Sequence, residues 1–125
     1  MIQTITTDKA PKALGPYSQA VLANGFVFLS GQVAIDPQSN QFIGGSIEQQ
    51  TRQVLNNLSA ILQSVGSSLN KALKTTVFLK DLADFEAMNK VYSEYFADHK
   101  PARATIQVTK LPKDALIEIE MIALS

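Results

Sequence analysis

The sequence predicts an α+β fold in one domain that spans residues 1–125. Two segments carry apolar residues at helical spacing, and six shorter segments are rich in β-branched and aromatic residues. No linker, repeat or low-complexity stretch divides the chain. The elements follow the order β, ββ, α, β, α, ββ, which is typical of a sheet covered by helices on one face.

Three strands are predicted in the first third of the chain, at residues 2–6, 18–23 and 26–32. Asn24-Gly25 joins the second strand to the third. Both positions of a tight hairpin turn require positive φ, so Asn-Gly between apolar runs predicts a β-hairpin. A further turn is expected at residues 36–40.

The first helix is predicted from Ser46 to Gly66. Ser46 and Gln49 match a capping box, in which the hydroxyl accepts from the Gln49 amide and the glutamine side chain reaches back to the cap. Gly66 supplies the left-handed residue that ends many helices. Between these two ends, mostly apolar residues recur at helical spacing and form one face of the helix. They are Ile47, Thr51, Val54, Leu55, Leu58, Ile61, Leu62 and Val65.

The rest of the chain contains a second helix and three more strands. The predicted elements are a strand at residues 73–80, a helix at 84–98, a strand at 103–108, a turn at 110–114 and a strand at 116–124. Asp84 is the predicted N-cap of the helix, and Pro101 bars the helix from continuing.

Two helices can cover only one face of this sheet. Residues 26–29 and 77–79 nevertheless place apolar side chains on both faces, because successive residues of a strand point to opposite sides. Burial against another copy of the sheet is the economical solution, so we expect a homo-oligomer.

The composition excludes several kinds of functional site. The chain has no cysteine, which excludes thiolate nucleophiles and zinc–thiolate or iron–sulfur centres, and its one histidine cannot supply most transition-metal sites. Eleven Lys and Arg balance eleven Asp and Glu, which argues against nucleic acid as the main partner. Because the sequence shows no secretory signal and no membrane-spanning apolar run, we expect a cytoplasmic protein without a membrane partner.

Arg103 is the most informative charged residue. It begins a predicted strand, and strand alternation places it on one face with Thr105 and Gln107. An arginine on a buried face requires an anion, which is either the carboxylate of a ligand or an internal carboxylate. Arg52, by contrast, follows Glu48 by four residues and fits an ordinary ion pair on the helix surface.

Glu118 and Glu120 share one face of the last strand. On a solvated face they are ordinary surface charges. In an interface, one of them would need a partner or a raised pKa and could handle protons, and the spacing does not decide which. Gly31, after Ser30, either allows the backbone to approach a ligand or ends a strand. Tyr17 is either a positioned phenol or a packed aromatic.

Several separated motifs resemble the RidA (YjgF) family. They extend in order over essentially the whole chain and are Gly15-Pro16-Tyr17-Ser18-Gln19-Ala20, Ser30-Gly31-Gln32, Asn89-Lys90-Val91-Tyr92, Pro101-Ala102-Arg103, and Leu111-Pro112-Lys113 with Ile117-Glu118-Ile119-Glu120. The resemblance implies a chorismate-mutase-like fold whose mixed sheet carries two helices on one face. It also implies a homotrimer around a central barrel, with clefts between subunits.

The same resemblance implies an activity that needs no metal or organic cofactor. Family members hydrolyse the reactive imines 2-iminobutanoate and 2-iminopropanoate to 2-oxo acids and ammonia. Arg103 would bind the substrate carboxylate and Glu120 would position or activate the water, with Tyr17 completing the catalytic group. The implied substrate-binding residues are Arg103, Ser30, Gly31, Asn89 and Thr105. Thr105 stands where the family often has cysteine, so only a backbone contact to the substrate or water is retained there.

Two other functions remain open on the sequence. A regulatory trimer that binds a 2-oxo acid without turnover would use the same cleft, and binding of 2-oxobutanoate without catalysis would favour it. Endoribonuclease or translation-inhibitor activity is linked to some relatives. A chain with zero net charge and no basic run fits that activity less well.

Overall fold

A computed structural model describes residues 1–125. The regular elements are β1 (Gln3–Ile5), β2 (Ala20–Ala23), β3 (Phe26–Gln32), β4 (Ile35–Asp36), β5 (Gln41–Phe42), α1 (Ile47–Ser64), β6 (Ala72–Leu79), α2 (Phe85–Phe96), β7 (Ala102–Gln107) and β8 (Ile117–Leu124).

Six strands form one mixed sheet in the order β1-β2-β3-β8-β6-β7. β6 and β7 are parallel and are connected through α2, whereas the other neighbouring strands are antiparallel. The predicted α+β class with two helices and a mixed sheet is confirmed. β4 and β5 form a separate two-stranded hairpin, where the sequence indicated only a turn.

The local signals near the hairpin and α1 are confirmed. Asn24 and Gly25 have φ angles of 52° and 82°, as the tight turn between β2 and β3 requires. At the start of α1 the Gln49 amide donates to Ser46 Oγ at 3.2 Å and the Ser46 amide donates to Gln49 Oε1 at 2.8 Å. A cap of this kind stabilises a protein by about 1 kcal/mol. Gly66, with φ of 78°, follows the helix end.

α2 differs from its prediction at both ends. The chain enters it through a 3-10 turn at Leu82–Asp84, and the Asp81 carboxylate accepts from the Ala83 amide at 2.9 Å, so Asp84 makes no side-chain cap. The helix ends at Phe96 because Ala97 adopts a φ of 53°, before Pro101 can act. The predicted N-cap position of Asp84 is therefore confirmed, without the expected side-chain hydrogen bond, and the helix ends two residues before the predicted end near residue 98.

Both helices pack on one face of the sheet, which we call the inner face. A continuous core joins them to the central strands and includes Val27, Leu29, Val54, Leu55, Leu58, Leu62, Val77, Leu79, Met88, Ile117 and Ile119. Full burial of such a side chain contributes about 1.5–3 kcal/mol. On the surface, Arg52 pairs with Glu94 of α2 at 2.9 Å and not with Glu48, so this contact links the two helices.

The opposite, outer face is covered within the chain only around Phe78, where a small cluster of Val33, Leu111 and Ala115 packs on it. Its exposed apolar residues are Phe26, Phe28, Ile106 and Leu124, which retain 38, 45, 45 and 44% of their accessible surface. The rings of Phe26 and Phe28 lie 6.3 Å apart. These uncovered apolar side chains, of which Phe26, Phe28 and Leu124 are neighbours on β3 and β8, are the feature from which association with another copy is predicted. None of the helices is long and apolar enough to cross a membrane.

Candidate functional site

Arg103 lies near the start of β7, at the edge of the sheet. It is aligned with buried Thr75 of β6, so its side chain lies on the inner face beside α2. Its Nη1 donates to Asn89 Oδ1 at 2.7 Å. Its guanidinium carbon lies 4.7 Å from the centroid of the Tyr92 ring and 5.5 Å from that of Phe85. α2 therefore provides one amide oxygen and two aromatic rings around the guanidinium.

The positive charge of Arg103 has no carboxylate partner in the chain. The two ion pairs of the structure join Arg52 to Glu94 and Lys80 to Asp114. The internal ion pair that the sequence left open is thus excluded within one chain. Arg103 instead borders a cleft of about 390 Å³, whose lining includes His99 and Lys100 but no aspartate or glutamate. This arrangement favours an anionic ligand.

Tyr92 connects the guanidinium to the core. Its hydroxyl forms a 2.7 Å hydrogen bond with Thr75 Oγ1 beneath the cleft. Burial raises the pKa of Tyr92, and the Thr75 hydrogen bond and the nearby charge of Arg103 offset part of that rise. The phenol therefore stays protonated at neutral pH and keeps its hydrogen bond to Thr75.

A second cleft, of about 360 Å³, contains Tyr17, Gly31 and Glu118. Glu118 lies on the outer face of β8, and a register shift in β3 between Leu29 and Gln32 accompanies its approach to Gly31. A Cβ atom at Gly31 would lie 2.9 Å from Glu118 Cδ and closer still to Oε2. Glycine is therefore required at this position for the carboxyl group to lie against the strand.

The environment of Glu118 favours its protonated form. The residue is half-buried and belongs to no ion pair. Burial, and to a smaller extent the charge of Glu120, raise the pKa of Glu118 above its ordinary value. A carboxyl group in such a setting retains its proton to a higher pH than an ordinary glutamate and can exchange it with a water molecule or a ligand.

Two of the expected site residues lie elsewhere. Glu120 is exposed and borders a different, smaller cleft with Phe28 and Lys74, so the carboxyl group beside Tyr17 and Gly31 is that of Glu118. The Ser30 hydroxyl donates to the Ser18 carbonyl at 2.6 Å and lines neither large cleft. In this chain Ser30 therefore fixes the loop before β2.

The expected residues thus form two groups that one chain does not bring together. Arg103 lies on the inner face of β7 and contacts Asn89 of α2, and Thr105 shares that face with its hydroxyl buried and without a hydrogen-bond partner. Gly31 and Glu118 lie on β3 and β8. β3 and β7 are three strand spacings apart in the sheet order, about 14 Å, and the two groups lie on opposite faces.

Sequence reasoning missed the contribution of Phe85 and Tyr92. These residues follow the spacing of Asn89 on one helix face, four residues before it and three after it. Apolar residues at that spacing usually belong to the core, as Tyr92 partly does. Asn89, the polar residue between them, was the one feature of the sequence that could have indicated that this helix face meets a charged group.

The chain is similar to known proteins over nearly its whole length. The sequence profile described as "Endoribonuclease L-PSP" matches residues 7–125. A RutC family protein of Pyrococcus horikoshii is 54% identical over 98% of each chain. A human protein named 2-iminobutanoate/2-iminopropanoate deaminase is 44% identical, covering 98% of this chain and 89% of its own.

A similarity is also found among solved structures. The crystal structure of E. coli TdcF with bound serine has a TM-score of 0.93, 41% identity and coverage of 98% of both chains. At this TM-score and coverage, the two chains share one fold.

Proposed function

The chain belongs to the endoribonuclease L-PSP family, that of the RidA (YjgF) proteins, and from this premise we propose that it hydrolyses 2-imino acids to 2-oxo acids and ammonia. The expected substrates are small imines such as 2-iminobutanoate and 2-iminopropanoate, which the name of the human relative also contains. The observation that carries the proposal is the guanidinium of Arg103, which borders a cleft without a carboxylate partner.

Arg103 binds the carboxylate that all 2-imino acids share. A planar guanidinium donates two parallel hydrogen bonds to a carboxylate, which fixes the orientation of the ligand as well as its position. The imine carbon is adjacent to that carboxylate, so anchoring one end places the reacting atom. Orientation contributes much of the catalysis here, because imines already hydrolyse in water and need no strong nucleophile.

Glu118 positions the water, in place of Glu120. It is the carboxyl group that shares a cleft with Tyr17 and Gly31, and its raised pKa suits proton exchange. The water oxygen forms a bond to the imine carbon while its proton passes through the carboxyl group to nitrogen. The C–N bond of the resulting carbinolamine then breaks as its hydroxyl proton passes through the same carboxyl group to the amine nitrogen, which releases ammonia and leaves the 2-oxo acid. This sequence needs no cofactor.

The complete site lies between subunits of a homotrimer. Arg103 of one copy and Glu118 of the next meet when the inner-face edge of one single-domain subunit packs against the outer face of its neighbour. Two different surfaces then form each contact, and repetition of such a contact closes a ring of three. The exposed side chains of Phe26, Phe28, Ile106 and Leu124 supply the apolar surface for this assembly around a central barrel.

The test is a coupled assay in which a pyridoxal-phosphate-dependent threonine dehydratase generates the imine. Arg103→Ala is expected to lower imine clearance by about 100-fold or more, since removing one partner of a buried charge pair costs several kcal/mol. Arg52→Ala is the matched control, because Arg52 contacts only Glu94 on the helix surface. An undiminished rate in a folded Arg103→Ala protein of unchanged molar mass would contradict the proposal.

Binding without turnover is the second candidate. The similar E. coli TdcF structure contains serine, which carries the same carboxylate and a nitrogen on the same carbon as a 2-imino acid. Calorimetric binding of 2-oxobutanoate by a protein that leaves imine clearance unchanged would favour this function. Endoribonuclease activity draws no support from a chain with equal numbers of acidic and basic residues.

A further inference from the structure

The contacts around Arg103 are all uncharged. Asn89 accepts a hydrogen bond from Nη1 at 2.7 Å, and the rings of Tyr92 and Phe85 lie 4.7 and 5.5 Å from the guanidinium carbon. Within proteins a buried arginine is usually held by a carboxylate, which fixes its position but also cancels its charge. Here three neutral groups take that place.

We propose that Tyr92 is a positioning residue for Arg103, and that its ring and the amide oxygen of Asn89 hold the guanidinium without neutralising it. The proposal rests on the proposed function, because it explains how the site keeps a full positive charge for the carboxylate of its ligand. Asn89 accordingly acts on Arg103 as well as lining the cleft. The electron-rich face of the Tyr92 ring attracts the guanidinium cation. Because these contacts already order the Arg103 side chain in the free protein, ligand binding loses less conformational entropy.

Thr75 contacts the hydroxyl of Tyr92 from below. Its own hydroxyl lies in the core and bonds the phenol at 2.7 Å, whereas the ring of Tyr92 is held by its packing within the core cluster. Thr75 itself has no contact with the cleft. The hydroxyl of Tyr92 thus contacts Thr75, and its ring contacts Arg103, which in turn faces the ligand. Because the two contacts use different parts of the side chain, they can be tested separately.

Binding of 2-oxobutanoate measured by calorimetry gives the first test. Tyr92→Leu removes the ring and is expected to weaken binding about tenfold. Tyr92→Phe keeps the ring and should rescue binding to within about threefold of the parent, yet lower the Tm by about 5 °C because Thr75 loses its partner. Thr75→Val is the matched control and should lower the Tm similarly while affinity is retained. A merely structural role would move affinity and Tm together.

Asn89→Asp tests whether the neutrality of the contacts matters. The carboxylate would occupy the place of the amide and pair with Arg103, so we expect a Tm that is unchanged or higher. Affinity for 2-oxobutanoate is expected to fall at least about tenfold, because the guanidinium charge is compensated. Unchanged affinity in both Asn89→Asp and Tyr92→Leu, with Arg103→Ala still abolishing binding, would overturn the positioning role and leave the proposed function standing.

An NMR measurement tests whether Tyr92 positions Arg103 in the absence of any ligand. The chain has two arginines, so Arg52→Lys leaves Arg103 as the single guanidinium in a nitrogen-15 NMR spectrum. We expect separate, slowly exchanging Nη signals in that background and their coalescence when Tyr92→Leu is added. Separate signals in both proteins would contradict the proposal. If Arg103→Ala left binding intact, the proposed function would fail while this measurement still decided the role of Tyr92.

Discussion

The two charged regions of the sheet differ in how their charge is held. At β7, Arg103 contacts an amide oxygen and aromatic rings and keeps its full positive charge. At β8, Glu118 and Glu120 share a face, and burial together with the neighbouring carboxylate raises the pKa of Glu118. One region presents an uncompensated cation, and the other presents a carboxyl group that gives up its proton less readily than usual.

This difference explains why neither region suffices for hydrolysis in our proposal. An anchored carboxylate without a positioned water is only a bound ligand, and a positioned water without an anchor meets no substrate. The regions also lie on opposite faces of one sheet, so their opposite charges cannot neutralise each other within a chain. In the proposed assembly, this separation preserves both charge states until two copies meet.

Subunit mixing tests this comparison with the largest expected effect. Arg103→Ala and Glu118→Gln should each be nearly inactive, since each lacks one half of every site. When the two are unfolded together and refolded at equal amounts, about a quarter of the sites in random trimers combine an intact Arg103 with an intact Glu118. We expect imine clearance to recover to about a quarter of the parent rate. Recovery no greater than the sum of the two separate variants would place both residues in one subunit's site.

A charged residue introduced into the outer face should prevent the subunits from associating. The Arg103 region of one copy would then no longer meet the Glu118 region of the next. Phe28→Asp places a carboxylate in the apolar surface, where burial without a partner costs several kcal/mol, so we expect monomers and at least about a tenfold loss of imine clearance. Light scattering reports the molar mass. Ile43→Asp is the control, because Ile43 is exposed to 43%, close to the 45% of Phe28, but lies outside the sheet. A fully active monomeric Phe28→Asp would contradict the intersubunit site.

The acidic region should give a pH-dependent stability that the basic region does not. An ordinary glutamate, as in the unfolded chain, ionises near 4.5, whereas burial holds the pKa of Glu118 above that value in the folded protein. Between these two values the folded protein binds more protons, so the free energy of unfolding should decrease as pH rises through that window and then level off. Glu118→Gln should remove the decline, and Glu120→Gln should reduce it. Urea titrations from pH 4 upward measure the free energy of unfolding at each pH. An equal decline in the Glu118→Gln variant would show that Glu118 does not cause it.

The smallest expected effect concerns Thr105, beside the basic region. Its hydroxyl is buried without a partner, and Thr105→Val replaces it with a methyl group of similar shape. We expect the free energy of unfolding to rise by about 1 kcal/mol and the Tm by about 3 °C. Calorimetry on the parent and the variant at one protein concentration measures the change. A less stable valine variant would mean that another subunit supplies the missing hydrogen bond.

Much of the fold could be predicted because its signals are local. The Ser46–Gln49 capping box and the Asn24-Gly25 turn act within a few residues, and both have the expected geometry. α2 was harder, because its entry uses a 3-10 turn capped by Asp81 and its exit depends on an alanine in the left-handed region. A left-handed alanine has no sequence signature, because positive φ is usually adopted by glycine or asparagine and alanine adopts it only rarely.

The site was less predictable because contacts distant in sequence decide it. Glu118 and Glu120 are equivalent by strand alternation, and the irregular pairing of β3 with β8 accompanies the difference that brings only one of them to Gly31. The partner of Arg52 was assigned wrongly for the same reason. A glutamate on the same helix was expected, and packing of α1 against α2 supplies Glu94 instead.

The position of β8 in the sheet has a consequence for biosynthesis. β8 pairs with both β3 and β6, yet it follows both of them in the chain and is translated after them. Until it emerges from the ribosome, β3 and β6 each expose an unpaired edge, and such edges are templates for aggregation. Nascent chains stalled before residue 117 should therefore depend on chaperones. The six-stranded sheet is complete only when β8 has paired with both β3 and β6.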